Sequence, residues 1–181
     1  MAACQRTSLI ERFPAVTRVA WITRHPRSAI ASCMSYEEWE SSIPHPVKRD
    51  PTWKVQAYRL SLYLASLTWT DAERLETDRR SALTAGQLCR ACGSIGANIV
   101  EGYGRRSAVD RARYFEYALG SASEVRTWYV MCRAILGEAV LADRLAVLTS
   151  ITRLLLVMIR TERTRPKMRV ESRHPRHNDE M

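Results

Sequence analysis

The sequence predicts an all-α protein, an antiparallel up-down four-helix bundle with a flexible N-terminal extension and a basic C-terminal tail. Three observations predict it. Four stretches between residues 51 and 163 repeat their apolar residues at 3-4 spacing, the period of an amphipathic helix. No stretch shows the strict alternation of a half-buried strand. The links between the periodic stretches are short, as in an up-down bundle. The 181 residues suffice for one domain with a core, and 46% apolar content with only seven Gly and seven Pro argues for a globular body.

Residues 1–50 are expected to be an extension without fixed structure. Residues 1–33 carry five Arg and one Glu and no convincing helical period. The simplest expectation is that they are dispensable, with Met34 as the true start. A basic nucleic-acid-binding arm and a targeting peptide are the alternatives. "SSIPHPVKRDP" (41–51) holds three prolines and leads to the first helix. Asp50 suits its N-cap and Pro51 its first position. Trp53, Ala57, Leu60, Leu64 and Leu67 make one stripe. Val55, Tyr58, Leu62, Ala65 and Trp69 make a second beside it, giving the wide apolar face of a bundle helix. The charged run "TDAERLETDRRS" (70–81) breaks this pattern.

The second helix is expected over 82–103. Leu88, Ala91, Cys92, Ile95, Ile99 and Gly102 gather on one face. Gln87, Arg90, Ser94, Asn98, Glu101 and Arg105 lie on an adjoining strip. Gly86, Gly93, Gly96, Ala97 and Val100 form a third, mostly small, strip that suggests close approach by another backbone. The third helix starts from Ser107 as N-cap, with Asp110 in its first turn. Phe115, Ala118, Ala122, Val125, Tyr129, Cys132 and Leu136 keep a 3-4 spacing up to Gly137, which ends the helix. The fourth runs from about Ala139 to Arg163, with Leu141, Leu145, Leu148, Thr152, Leu155 and Ile159 on its main face. Its "LLLVMI" (154–159) covers the whole circumference. This predicts burial on more than one side, and hence a homo-oligomer or a covering N-terminal segment. Residues 164–181 form a basic, polar tail.

The chemistry excludes more than it assigns. Glycines at 96, 102 and 104 in "SIGANIVEGYGRRS" are followed by no Lys and sit on a helical period, so the segment is no phosphate loop. Cys89-Arg-Ala-Cys92 lies mid-helix, with Cys92 on the apolar face, and reads as small core residues. All four histidines (25, 45, 174, 177) lie outside the bundle, and no metal site or cofactor is expected. No nucleophile–base arrangement stands out, so no catalytic residues are expected. Five cysteines in no disulfide spacing suit a reducing compartment. No apolar run reaches the ~20 residues of a membrane span. Net charge of +9 and a sequence pI near 9.8 make nucleic acid a natural partner.

The polar strip of the second helix is read as a structural network. In an antiparallel hairpin turning at 103–107, residues whose numbers sum to about 211 lie abreast. Glu101 then reaches Arg111 or Arg113, Asn98 reaches Tyr114 or Arg113, and Arg90 reaches Ser121 and Glu124.

"QLCRACGSIGANIVEGYGRRS" followed by "RYFEYALGSASEVRTWY" closely resembles the four-helix bundle family also known as the 23S rRNA intervening-sequence proteins. The family pattern is matched by Gln87, Arg90, Ser94-Ile95, Asn98, Glu101-Gly102, Arg113, Tyr114, Gly120-Ser121 and Glu124, over about residues 53–160. Gly93 and Gly96 depart from it. The resemblance implies a bacterial cytoplasmic protein without known enzymatic activity. Some relatives resemble the accessory variability determinant of diversity-generating retroelements. That resemblance implies a homo-oligomeric ring such as a pentamer, with a reverse transcriptase and nucleic acid (RNA or DNA) as partners. Two function classes follow. One is a scaffold that binds nucleic acid through Arg105, Arg106, Arg111, Arg113, Arg163, Arg165, Lys167 and Arg169. The other is a protein-interaction bundle whose basic surface is incidental.

Overall fold

The structure, a computed structural model, describes residues 34–165. Residues 1–33 and 166–181, and with them Lys167, Arg169 and the question of Met34 as start, lie outside the described residues. The described chain is all helical, and no strand occurs within it.

The segment 34–50 corrects the expected extension. Ser35 caps α1 (Tyr36–Ser42) with a reciprocal capping box, its hydroxyl accepting from Glu38 N and Glu38 accepting from Ser35 N. Pro44 follows and prevents continuation. A single turn, α2 (His45–Lys48), comes next. The segment holds because α1 buries an aromatic anchor. Trp39 is 7% exposed, stacked on Trp53 at 6.1 Å and packed on Tyr63 at 5.5 Å. Tyr63 Oη donates to the Met34 carbonyl, and Arg59 pairs with Glu40 at 2.9 Å. A proline-rich stretch with two short helices has no period to read, so only the tryptophan announced this contact.

Asp50 is a cap, but of a 3-10 turn over Pro51–Lys54: its carboxylate accepts from Thr52 N. The long helix α3 starts later, at Gln56, and runs to Glu76. The charged run at 70–81 therefore does not end it. Asp71, Ala72 and Leu75 continue its buried face. Of the second stripe, Tyr58, Leu62 and Ala65 pack partly buried against the core, while Trp69 is 67% exposed.

Helix α4 (Ala82–Gly104) buries every residue of its expected core face. Only one of the three glycines on its small strip is close to another helix. A Cβ on Gly96 would lie 2.9 Å from Ser61 Oγ, whereas Gly86 and Gly93 face open space. Gly102, on the core face, is the tighter position: a Cβ there would meet Phe115 Cε1 at 2.8 Å and Tyr114 Cβ at 3.0 Å. This lets α4 and α5 (Ala108–Met131) approach closely beside their link. Ser107 Oγ accepts from Asp110 N, as a cap should.

The expected third helix is broken. α5 ends at Met131, Cys132 leaves the helical conformation, and α6 (Arg133–Leu136) adds one turn before Gly137. Gly137, with φ of 87°, takes the left-handed side that glycine tolerates. The apolar stripe survives the break, since Cys132 and Leu136 are both buried. α7 (Glu138–Arg163) then returns along α5 and α3. Leu145 and Thr152 are only half buried, and the buried positions beside and between them belong to Arg144, Val147, Leu148, Ser150 and Ile151. α3 packs on α4, α4 on α5, α5 on α7 and α7 on α3, around one continuous core. Leu156 and Val157 of "LLLVMI" stay 51% and 41% exposed, so no described part of the chain covers them.

Candidate nucleic-acid interface

The predicted polar strip is not an interhelical network. Gln87, Arg90, Glu101, Arg113 and Glu124 are exposed, and Ser94, Asn98 and Ser121 half exposed. Each finds a partner within its own helix except Glu101, whose partner Arg105 lies just past the end of α4 and itself reaches Tyr114 on α5. Arg90 Nη2 donates to Gln87 Oε1 at 2.6 Å, Ser94 Oγ to the Arg90 carbonyl, and Asn98 Nδ2 to the Ser94 carbonyl. Ser121 Oγ donates to the Tyr117 carbonyl, and the Trp128 indole to Glu124. Glu101 pairs with Arg105 rather than with Arg111 or Arg113. The strip lies on the outward side of α4, and at i,i+4 spacing a helix offers its own side chains first.

The buried polar networks are elsewhere. In the first, Arg144 forks onto Asp71, with Nε at 2.8 Å from Oδ2 and Nη2 at 3.1 Å from Oδ1. Tyr129 Oη donates to the same Asp71 Oδ2, and Thr68 Oγ1 lies 2.9 Å from Tyr129 Oη and 3.4 Å from Cys92 Sγ. Three helices thus meet at one carboxylate, and Cys92 of α4 joins the network through Thr68. Burial holds the Tyr129 hydroxyl and Cys92 thiol in their neutral forms, the thiol being pushed up to about 12.

The second network shapes the candidate interface. Arg111, expected on the surface, is 6% exposed and is not available to a phosphate. Its Nε and Nη2 reach Glu162 Oε2 at 2.9 and 2.8 Å. Its Nη1 donates to the carbonyls of Arg105 and Arg106, both at 2.8 Å. One buried guanidinium therefore ties the end of α7 to the α4–α5 link and fixes that link's backbone. Glu162 also pairs with Arg165 at 3.3 Å, and Arg163 with Glu116 at 2.5 Å. The structure thereby brings Arg105, Arg106, Arg113, Arg163 and Arg165 to one end of the molecule.

Two tyrosines stand among these arginines: Tyr114, expected beside Asn98, and Tyr117, which the sequence reading left unused. The Arg105 guanidinium sits over the Tyr114 ring, 4.7 Å from its centroid, with Nη2 2.8 Å from the hydroxyl. The Arg113 guanidinium sits 5.6 Å from the Tyr117 centroid, with Nε 2.6 Å from that hydroxyl. The rings meet edge-to-face at 5.8 Å. Together with Asp110 they line a shallow cleft of ≈ 320 Å³. The signal was present as Arg113, Tyr114 and Tyr117 in "RYFEY", one turn of helix.

Among the described residues there is no group of three or more potential metal ligands, and no helix long and apolar enough to cross a membrane. Fold and site together define an all-helical protein with a buried ionic core and a basic, tyrosine-lined end. Residues 54–154 match the family described as 23S rRNA-intervening sequence protein, and the chain belongs to that family. A solved structure of similar fold is a protein of unknown function from the S23 ribosomal protein family of Bacteroides thetaiotaomicron. It is 24% identical, with a TM-score of 0.54 over 57% of this chain and 97% of that one. No curated protein matches the chain.

Proposed function

We propose that this chain is a non-enzymatic cytoplasmic scaffold, an antiparallel up-down four-helix bundle that assembles with copies of itself and binds nucleic acid through its basic end. The observation that carries the reading is the placement of Arg111. Buried against Glu162, it holds the carbonyls of Arg105 and Arg106 and so presents both side chains outward on a fixed link. Arg163 and Arg165 stand beside them, and the sequence continues with Lys167 and Arg169. Clustered arginines on one end are the electrostatic footprint of a phosphate-binding surface. Self-assembly rests on the exposed Leu156 and Val157 of α7, apolar side chains that a second copy would cover.

A second reading is a protein-interaction bundle, with a reverse transcriptase or another protein as partner. It is favoured by Trp69 and Leu83, which are 67% and 89% exposed away from the basic end. Titrating binding of labelled RNA and DNA against salt separates the two. Phosphate contacts make log K fall linearly with log salt, at about 0.7–0.9 per contact. A flat dependence, or no binding at low salt, would leave the protein-interaction reading standing. Light scattering that showed a stable monomer at micromolar concentration would overturn the assembly.

A further inference from the structure

We infer that the cleft between Arg105, Arg113, Tyr114 and Tyr117 is a stacking site for an unpaired nucleobase, so that the basic end selects single-stranded over duplex nucleic acid. The inference rests on the nucleic-acid reading above and goes beyond it by naming the structural state of the ligand.

Arginines alone would bind any polyanion. What distinguishes this cleft is that each exposed arginine at its walls lies over an aromatic ring. Planar guanidinium groups and tyrosine rings both present flat faces on which bases stack, and unstacked bases are available only in single strands. Tyr117 is 46% exposed and Arg105 43% exposed at the side chain, so flat surface remains open to a ligand. The edge-to-face arrangement of Tyr114 and Tyr117 puts their planes 84° apart, which makes a corner rather than a flat wall. A single base fits such a corner. A duplex, whose bases are already stacked on one another, offers it only backbone.

The electrostatics agree with this division. Asp110 lines the cleft with Arg105 and Arg113, and Glu101 is paired with Arg105, so these four charges cancel and leave no net charge to draw a phosphate into the cleft. The uncharged base therefore takes the cleft, while Arg106 and the outer edges of Arg105 and Arg113 take the flanking phosphates. The tyrosine hydroxyls are already hydrogen-bonded to the arginines, so they hold the guanidinium planes over the rings instead of reading base edges. Recognition by ring faces carries little sequence preference and needs no 2′-hydroxyl.

The test is fluorescence anisotropy on the full chain, with labelled 20-nucleotide single-stranded RNA, single-stranded DNA of the same sequence, and the corresponding DNA duplex. The variants are Tyr117→Ala and Tyr117→Phe. Tyr117 is half exposed, so both should fold, and circular dichroism checks this. Loss of one stacked base is worth about 5-fold to 150-fold in affinity. The inference expects Tyr117→Ala to lose at least about 5-fold on both single strands and less than about 2-fold on the duplex. Tyr117→Phe, which keeps the ring but loses the hydroxyl that holds Arg113, should bind single strands more tightly than Tyr117→Ala, and binding no tighter would overturn stacking on this ring. An equal loss on duplex and single strands, or no loss on either single strand, would overturn the stacking site and leave the basic-end reading intact. A wild-type chain that binds none of the three probes would overturn both.

Discussion

Removing the Glu162 carboxylate should cost the protein a large share of its stability. Glu162 is 1% exposed at the side chain and receives Arg111 through two nitrogens. In Glu162→Ala the Arg111 guanidinium stays buried without its counter-charge. Breaking such a buried pair from one side costs ~3–5 kcal/mol. Arg111 would still donate to the carbonyls of Arg105 and Arg106, which places the loss near the lower bound, about 3 kcal/mol. For a domain of roughly 130 residues each kcal/mol moves Tm by about 3–4 °C, so the expected drop is about 9–12 °C. Thermal denaturation followed by circular dichroism, at one fixed protomer concentration, measures it. Replacing both partners, Arg111→Met with Glu162→Leu, removes the stranded charge and should recover at least about half of the lost stability. A drop of less than about 2 °C for the single variant would refute the argument. So would a double variant no more stable than the single one, because the two positions would then not be coupled.

Other expectations follow from the same packing. Gly102→Ala should destabilise by about 1–2 kcal/mol, since its Cβ would press on the buried Phe115 ring. Gly93→Ala, with open space around it, should stabilise by up to about 1 kcal/mol; urea titration giving the reverse order would show that the α4 contacts are misassigned. Trp39→Ala should cost about 3 kcal/mol by emptying the aromatic contact with Trp53 and Tyr63, and a loss below about 1 kcal/mol would mean that α1 is not docked. Cys92 should resist alkylation at pH 8 in the folded protein and react only on unfolding, because burial raises its thiol from 9.0 to about 12. The folded state then holds a proton that the unfolded state releases, so this group makes stability fall as pH rises from about 9 toward 12, by up to ~1.4 kcal/mol per pH unit. Rapid native-state labelling of Cys92, read by mass spectrometry, would contradict it.

The helices were legible because their apolar residues keep a 3-4 period over long stretches. The stripes of α4 and α5 are buried residue for residue. The ionic core was hidden in those same stripes. Arg144 stands three residues after Leu141 and four before Leu148. Asp71 stands four after Leu67 and four before Leu75. Arg111 precedes Phe115 by four, and Glu162 follows Ile159 by three. A charge on an apolar stripe looks like an interruption, because its partner lies far away along the chain. Arg144 and Asp71 are 73 residues apart, and Arg111 and Glu162 are 51. Pairing by register could not find them, since it matches only neighbours across one hairpin. It also overrated the outward strip from Gln87 to Glu101, whose side chains are satisfied along their own helix or, for Glu101, just past its end. The α1 segment escaped because a seven-residue helix, cut off by Pro44, is too short to carry a periodic signal.

The most direct test of the proposed function is the salt dependence of single-stranded RNA binding by wild type and by the double variant Arg105→Gln/Arg106→Gln. Both residues sit on the exposed link that Arg111 holds from beneath, so the substitutions remove charge without touching the core. If the basic end binds phosphate, the wild-type plot of log K against log salt is steep. The double variant should bind more weakly and lose up to about 1.4 units of slope, about 0.7 for each single-strand contact. An unchanged slope in a folded variant would contradict a phosphate-binding role for this end of the molecule.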